Sequence, residues 1–369
     1  MLALWDRNRR AVHASCCFPL AVAVLAAGII VGVPSTSSAQ VVMNPAKAQV
    51  SYYLQASLEQ RNNTTKYYTA TDALDTNNPY NNPIQLSRSL GGTNGGGTGA
   101  SSFSVSASLT GAAGLMRAKI DGAASASWNA DSIRSNALIS NTSAIVSWED
   151  FYYLVGNPAD PKPNRPLLVN TFLNLSGVMD IDVVPDATAP LLSYIAGGSV
   201  IMTLTGRDEY GRNLLGASPY GGSLYARAIK GTRTTTPVYD PPPGSIPVTL
   251  WAEEGRVGFM KFAMELRVHS ASARNDDYYR PGSTSMTFAH DFSHTLAWGG
   301  ITSVVDAATG EPLSEWSIVS SSGINYANPI PEPSAATLLL LASVLVCRRS
   351  IGRRRTSATS PRLARASAR

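Results

Sequence analysis

The sequence predicts an all-β protein whose body is an antiparallel β-sandwich of the jelly-roll type. Three observations predict this fold class. Charged residues make up only 15% of the 369 residues, while glycine (30) and proline (23) are plentiful, a composition typical of strands joined by many turns. Apolar and polar residues alternate along several segments. Between the two ends of the chain, no long segment has the 3.6-residue period of an amphipathic helix.

Two segments show the alternation most clearly. In SSFSVSASLT, residues 101–110, every second residue from Phe103 to Leu109 is apolar and the residues between them are polar. In VGFMKFAMELRV, residues 257–268, the apolar side chains of Met260 to Val268 share one face, and Lys261, Glu265 and Arg267 share the other. A strand that is apolar on one face and polar on the other belongs to an antiparallel sheet with one solvated side.

Further strands are predicted at 143–155, 167–184, 198–206 and 313–320. Turn-forming segments rich in Gly, Pro, Asn and Asp separate them, such as DEYGRN at 208–213. Residues 91–102, GGTNGGGTGASS, are predicted to form a flexible loop or linker. Residues 40–102 as a whole either add an edge strand to the sandwich, which is the preferred interpretation, or form a looser N-terminal part. The sandwich domain is predicted to span 40–319.

Residues 1–39 have the pattern of a secretory signal peptide. Arginines at 7, 9 and 10 precede an apolar run from Cys16 to Val33, and the small residues Ser37 and Ala39 follow it. The positive flank holds the N-terminus inside while the apolar run enters the membrane. Cleavage is therefore expected after Ala39. The alternative is a retained transmembrane helix, because the run is long enough to span a bilayer.

The C-terminal region has three parts in a fixed order. The tripeptide Pro331, Glu332, Pro333 comes first, an apolar segment at 335–347 follows, and a cluster of arginines ends the series: Arg348, Arg349, Arg353, Arg354 and Arg355. The prolines keep Glu332 in an extended backbone and stop a helix from growing towards it. The arginines hold the far end of the segment inside the cell. A short transmembrane helix is therefore predicted at 335–347.

This order resembles the PEP-CTERM sorting signal of surface proteins of Gram-negative bacteria. The segment from Asp291 to Tyr326, which contains TLAWGGI and GEPLSEWSI, also resembles the C-terminal part of many such proteins. The resemblance implies that an exosortase recognises residues 331–355 and cuts near the motif. Residues 320–330 are then a linker, and 356–369 are a basic tail beyond the usual end. The alternative is a tail-anchored surface protein.

Cysteine and charge exclude several classes of function. The three cysteines, Cys16, Cys17 and Cys347, all lie in the end segments, so the predicted exported body has no disulfide, cysteine nucleophile or cysteine-ligated zinc. The net charge of +5 also belongs to the ends, because residues 41–333 hold 19 basic and 24 acidic side chains. A mildly acidic body repels nucleic acid. No nucleic-acid partner is therefore expected.

Motif searches give no catalytic residue and no cofactor. P-loop, dinucleotide-binding, nucleophile-elbow and HExxH patterns are all missing from the sequence. Two pairs are weak metal candidates, since each pair shares a strand face: His290 with His294, and Asp180 with Asp182 for calcium. The structural interpretation is preferred for the histidines, because Asp291 points the opposite way and a neighbouring hydroxyl or carbonyl can satisfy each ring. No metal is therefore predicted.

Paired acids and aromatic residues leave two alternatives open. Glu253 and Glu254 are adjacent, so on a strand they face opposite sides and cannot form the facing carboxylate pair of a glycosidase. Tyrosines are numerous and often paired, but only one of each pair can face a sugar. A solvent-facing aromatic row would favour a carbohydrate-binding module. Two acids from separate strands in one cleft would favour an extracellular hydrolase.

The sequence thus predicts an exported, non-enzymatic protein of the cell surface or extracellular matrix. The expected role is structural or adhesive and linked to exopolysaccharide. The expected partners are the secretion machinery, an exosortase and extracellular polysaccharide, with membrane contact only through the terminal signals. A secreted carbohydrate-binding module is the first alternative, and an extracellular hydrolase is the less favoured one.

Overall fold

Extended backbone dominates the computed structural model, which describes residues 41–59, 65–77, 83–96, 99–128, 136–157, 160–185, 194–215, 220–229, 232–239, 244–275 and 282–330. These ranges contain fourteen strands and no helix. The strands are β1 (Lys47–Glu59), β2 (Thr65–Thr76), β3 (Ile84–Gly96), β4 (Gly99–Ala112), β5 (Leu115–Trp128), β6 (Asn136–Val155), β7 (Pro166–Pro185), β8 (Tyr194–Asp208), β9 (Tyr220–Ile229), β10 (Thr232–Tyr239), β11 (Gly244–Glu253), β12 (Val257–Asn275), β13 (Gly282–Asp306) and β14 (Ser317–Ser320).

The strands form two sheets in which every pairing is antiparallel. Sheet A has the order β10-β9-β8-β12-β6-β1-β2, with β14 also paired to β6. Sheet B has the order β11-β7-β13-β5-β4-β3. From β5 to β8, and again from β11 to β13, each successive strand lies in the opposite sheet. The predicted all-β class is confirmed, and the two antiparallel sheets are consistent with the predicted sandwich.

Alternation along the strands builds the core between the sheets. In β4, the predicted apolar face from Phe103 to Leu109 is buried, and in β12 the face from Met260 to Val268 is completely buried. Inward-facing side chains of both sheets form one apolar cluster. Burying this apolar surface stabilises the fold by about 25 cal/mol per Å². The strands predicted at 143–155, 167–184 and 198–206 exist with longer bounds, whereas 313–320 contains a strand only in its last four residues.

The N-terminal part is more regular than the sequence predicts. β1 lies inside sheet A, between β6 and β2, whereas β2 and β3 are edge strands of sheets A and B, as the preferred interpretation of residues 40–102 expects. The predicted loop at 91–102 is wrong, because β3 and β4 pair through it from Ile84↔Gly111 to Gly96↔Gly99. The Phe103 and Tyr68 rings pack directly against the backbone of Gly92. A Cβ at this position would lie 2.7 Å from the Phe103 ring and 2.9 Å from the Tyr68 ring. Such a glycine makes room for aromatic rings, which composition alone does not reveal.

The predicted linker at 320–330 is part of the folded domain. Tyr326 is 0% exposed, and its carbonyl oxygen accepts a hydrogen bond of 2.9 Å from the indole N–H of Trp298. The backbone N–H of Ile330 donates to the carbonyl of Trp298 at 3.0 Å. Gly300, with φ of 90°, is needed at this junction, because a Cβ there would lie 2.9 Å from the Pro329 nitrogen. The linker prediction fails because Ile324, Tyr326 and Ile330 pack inward among polar neighbours.

The two predicted targeting segments lie outside the described residues. This applies to the signal peptide at 1–39 with its cleavage site at Ala39, to the sorting signal at 331–355 and to the tail at 356–369. Within the described ranges, the structure contains no helix of the length and hydropathy needed to cross a membrane.

Candidate functional site

A groove opens where the β8–β9 connection meets the end of β11. The connection bridges the two sheets: the Leu214 N–H donates to the Gly206 carbonyl in β8, and the Thr249 N–H in β11 donates to the Leu214 carbonyl, both at 3.0 Å. The groove has a volume of about 610 Å³. It is lined by Pro166, Glu209, Tyr210, Arg212, Trp251, Ala252, Glu253, Arg256, Val257 and Gly258.

Asp208 fixes the shape of the connection. Its Oδ1 accepts hydrogen bonds from the backbone N–H groups of Tyr210, at 2.9 Å, and Arg212, at 2.8 Å. Its Oδ2 accepts from Nε of Arg212. Gly211 has φ of 75°, which closes the turn at low steric cost. An aspartate that satisfies the backbone donors of its own turn is a common device for ordering a loop. Here it also places the guanidinium of Arg212 over the groove.

Two exposed aromatic rings flank Arg212. The guanidinium carbon lies 4.9 Å from the ring centre of Tyr210 and 5.4 Å from that of Trp251, within the range of a cation–π contact. Tyr210 is 71% exposed and Trp251 is 46% exposed. Trp251 faces outward because the strand alternates, with Leu250 and Ala252 buried on either side. The groove therefore presents flat apolar surface beside charged groups.

The base of the groove is rigid. The Tyr152 hydroxyl, in β6, donates to the carbonyl of Trp251 at 3.1 Å. Its ring fills the space beside Gly258, where a Cβ would lie 2.5 Å away. Burial, reinforced by the negative charges of Glu209 and Asp208, raises the pKa of Tyr152 above its ordinary value. The phenol therefore keeps its proton and its hydrogen bond at neutral pH.

The charged groups of the groove are largely paired. Arg256 forms an ion pair of 2.6 Å with Glu253, and Arg212 is paired with Asp208. Glu209 and Glu253 come from different segments and line the same groove, but both are exposed. A glycosidase acid needs a carboxyl group whose pKa is raised, commonly by apolar burial. The arrangement offers hydrogen-bond donors and acceptors beside aromatic planes rather than a buried acid.

Glu254 points away from the groove and into the protein, as strand alternation predicts for adjacent glutamates. It is buried and forms an ion pair of 2.6 Å with Arg165. Its Oε1 also accepts hydrogen bonds from the N–H groups of Gly156, at 2.9 Å, and Lys162, at 3.2 Å. Glu254 is therefore a structural carboxylate that holds the β6–β7 connection against the β11–β12 turn.

The predicted metal candidates do not converge in the described structure. Asp180 and Asp182 lie on the outer face of sheet B, and His290 lies inside the core. The side chain of His294 is outside the described residues. Among the residues that the structure does describe, no three His, Cys, Asp or Glu side chains are placed to hold a metal ion.

His290 is completely buried, and the predicted hydroxyl or carbonyl partner is not found. Neither Nδ1 nor Nε2 has a hydrogen-bond partner among the described residues. Burial lowers the pKa of His290 to about 3. Asp291 points the other way, as predicted, and pairs with Lys119 at 3.4 Å. The carboxylate also accepts from the Ser293 N–H, and these partners lower its pKa despite partial burial.

A second buried carboxylate, Asp150 in β6, organises the segment after β14. It accepts hydrogen bonds from the hydroxyls of Tyr326, at 2.6 Å, and Ser321, at 2.7 Å, and from the Ser322 backbone N–H at 3.2 Å. Burial and the charge of Asp150 raise the pKa of Tyr326 well above its ordinary value. The cluster is enclosed in the core, so it has a structural role.

Comparison with known proteins adds no family to these observations. No protein-family model matches the chain, and no curated protein matches it. The predicted sorting-signal residues, Pro331 to Pro333 and the arginine cluster, lie outside the described residues.

The groove residues Tyr210, Arg212 and Trp251 are not among the sequence-predicted site residues. The segment DEYGRN is predicted only as a turn, and no strand is predicted at 244–253. Without that strand, the outward position of Trp251 cannot be inferred. The order of residues in LWAEEG could have indicated that Trp251 is exposed. Side chains alternate along a strand, so a tryptophan between two inward-facing residues points outward.

Proposed function

We propose that this protein is an exported component of the bacterial cell surface or extracellular matrix, processed by an exosortase and without enzymatic activity. Its role is structural or adhesive, in association with exopolysaccharide. The observation that carries the proposal is the ordered C-terminal series, in which the Pro331–Pro333 motif, the apolar segment and the arginine cluster follow one another. A signal-like N-terminus at the other end of the chain supports it.

The composition and the strand order of the described domain are compatible with a protein that functions outside the cell. Residues 41–330 contain no cysteine, so the domain has no disulfide to form and no thiol that can be oxidised. Methionine is its only residue with an oxidisable sulfur. The alternation of strands between the two sheets supports the jelly-roll arrangement, which other proteins use for shells and for lectins. Fold alone does not assign function, so the terminal signals remain the main support.

Mass spectrometry of the exported protein tests this proposal. The mature form is expected to begin at Gln40 and to lack peptides from 350–369. Glu332→Ala is expected to leave the C-terminal peptides attached, because the motif is no longer recognised, whereas the matched tail variant Pro361→Ala is processed normally. Peptides from 350–369 on the mature wild-type protein, or intact chains in the cytosol, would contradict the proposal.

A secreted carbohydrate-binding module is the second candidate. The exposed rings of Tyr210 and Trp251 beside Arg212 favour it, since such rings are the features that a sugar-binding surface needs. The hydrolase alternative has a direct test: incubation with soluble polysaccharides and measurement of reducing ends. Release of reducing ends that is lost in Glu209→Gln or Glu253→Gln would contradict a non-enzymatic role.

A further inference from the structure

We infer that the groove between the β8–β9 connection and β11 is a binding site for a neutral saccharide, with a pyranose ring stacked on Trp251. The inference deepens the proposed function by naming the class of polysaccharide and the residues that hold it. Only the natural source of the sugar depends on the proposed function, because the groove itself is a feature of the folded domain.

The first argument is the exposure of Trp251. Tryptophan is a large apolar residue, and nearly half of this one remains open to solvent at the edge of sheet B. One face of many pyranose rings carries only C–H groups, so it matches a flat aromatic ring in both shape and polarity. Burying the two surfaces against each other is favourable for the same reason that apolar burial is.

The second argument is the ring of hydrogen-bonding groups around the aromatic surface. Arg212 and Arg256 supply N–H donors, and Glu209 and Glu253 supply carboxylate acceptors. Sugar hydroxyls both donate and accept, so they need both kinds of partner at one site. Charged partners make the stronger hydrogen bonds. The groove thus combines an apolar platform with donors and acceptors at its rim.

The third argument concerns charge and selects a neutral sugar. Asp208, Glu209 and Glu253 face two arginines, and both arginines already have carboxylate partners. The local balance is therefore slightly negative, like that of the whole body. An acidic sugar would have to displace a protein carboxylate from an arginine, which costs more than hydrogen bonding a neutral hydroxyl.

The fourth argument is preorganisation. Asp208 holds Arg212 from below, the two aromatic rings hold it from the sides, and the Tyr152 hydroxyl fixes the backbone of Trp251. Arg212 therefore has little side-chain freedom left to lose when a ligand enters. The groove volume of about 610 Å³ lies within the range of small-molecule sites and admits one or a few sugar rings.

Isothermal titration calorimetry of the full-length protein tests the inference. The probes are cellohexaose, maltohexaose and hexa-N-acetylchitohexaose as neutral oligosaccharides, and an alginate hexamer as the acidic comparator. At least one neutral hexamer is expected to bind with a dissociation constant at or below ~1 mM, and more tightly than the alginate hexamer. Trp251→Ala is expected to weaken binding about tenfold or more, and Trp251→Phe about threefold or less.

One control variant and one further groove variant separate binding from folding. Tyr67→Ala removes an aromatic residue on β2 that is 70% exposed, more than the 46% of Trp251, and is expected to leave affinity unchanged because it lies outside the groove. Arg256→Met changes only the exposed rim of the groove and is expected to weaken binding without lowering the melting temperature. No heat from any neutral hexamer at about 10 mM, preference for alginate, or full affinity in both Trp251→Ala and Arg256→Met would overturn the inference. If the saccharide test failed in this way but the exported protein still lacked its C-terminal peptides, the proposed function would stand without the saccharide site.

Discussion

His290 shows what burial does to a single titratable residue. Strand alternation places it in the core, in line with Met286, Phe288 and Phe292. Between Phe292 and Leu296, β13 contains two more residues than its partner β5, and an even insertion leaves the inward parity unchanged. The sequence therefore predicts its direction correctly. It does not predict that the ring lacks a hydrogen-bond partner, because partners come from the facing sheet.

His290 should make the domain sensitive to acid. Its pKa is about 3 when folded and about 6.5 when unfolded, so the unfolded chain binds the extra proton first. Stability is thus full above pH 6.5 and falls as the pH drops towards 3, by up to about 1.4 kcal/mol per pH unit. His290→Leu is expected to remove this component and to be about 1 kcal/mol or more stabilising at pH 7, because it replaces an unpaired polar ring.

Urea denaturation of wild type and His290→Leu across about pH 7 to pH 4 measures the effect. His269→Leu, at an exposed position in β12, is the matched control and should retain the wild-type slope. Parallel pH profiles for wild type and His290→Leu would show that the ring is hydrated or paired in solution.

At the scale of elements, buried polar contacts fix the connections between strands. The Arg165–Glu254 pair joins the β6–β7 connection to the β11–β12 turn, and Glu254 satisfies two backbone N–H groups besides the guanidinium. A Cβ at Gly156 would lie 2.3 Å from the Arg165 guanidinium, so a larger residue there would displace the ion pair. Glu253 and Arg256 lie at the β11–β12 turn, so the position of this turn sets one wall of the groove.

Removing one partner of this pair should be costly. Arg165→Met leaves the Glu254 carboxylate buried without its cation, and the expected loss in the free energy of unfolding is about 3 kcal/mol or more. Arg267→Met, which breaks the exposed Arg267–Glu265 pair, is expected to cost less than about 1 kcal/mol. Chemical denaturation of both variants provides the comparison, and equal losses would refute the structural role of the buried pair.

Alternation predicted that β4, β6 and β12 exist and, for β4 and β12, which face is buried, although each strand extends beyond its predicted bounds. The prediction failed for β3 and for the start of β4, because glycine and serine at 91–102 are typical of loops. Cross-strand pairing and the packing of Phe103 and Tyr68 around Gly92 override that local preference.

At the scale of the whole molecule, the sandwich extends to Ile330. The segment after β14 returns to the core, supplies donors to Asp150 and covers Trp298 through Tyr326. The Trp148, Trp298 and Tyr326 rings pack with centres 4.9 to 6.4 Å apart. The proposed sorting motif therefore begins at the next residue after a packed segment, with no intervening linker in the sequence.

Two truncations test this domain boundary. A chain that ends at Ile330 is expected to unfold at the same urea concentration as the full-length chain. A chain that ends at Ser320 exposes Trp298 and removes four donors to Asp150, namely three hydroxyls and one backbone N–H, so a loss of about 3 kcal/mol or more is expected. Tyr326→Phe, which removes only the phenol, should give a smaller loss and keeps the test valid if the shorter chain does not fold. Equal stability of both truncations would restore the linker prediction.

The sequence by itself determined the fold class, the direction of most strand side chains and the absence of cysteine from the body, because these depend on composition and on the two-residue period of a strand. The proposal that the protein is exported likewise depends on linear motifs. The tertiary structure decided which strands are neighbours, that 320–330 is packed, and that Tyr210 and Arg212 meet Trp251 across the two sheets. Such contacts join residues about forty positions apart through a connection between sheets, and no local pattern in the chain specifies that distance.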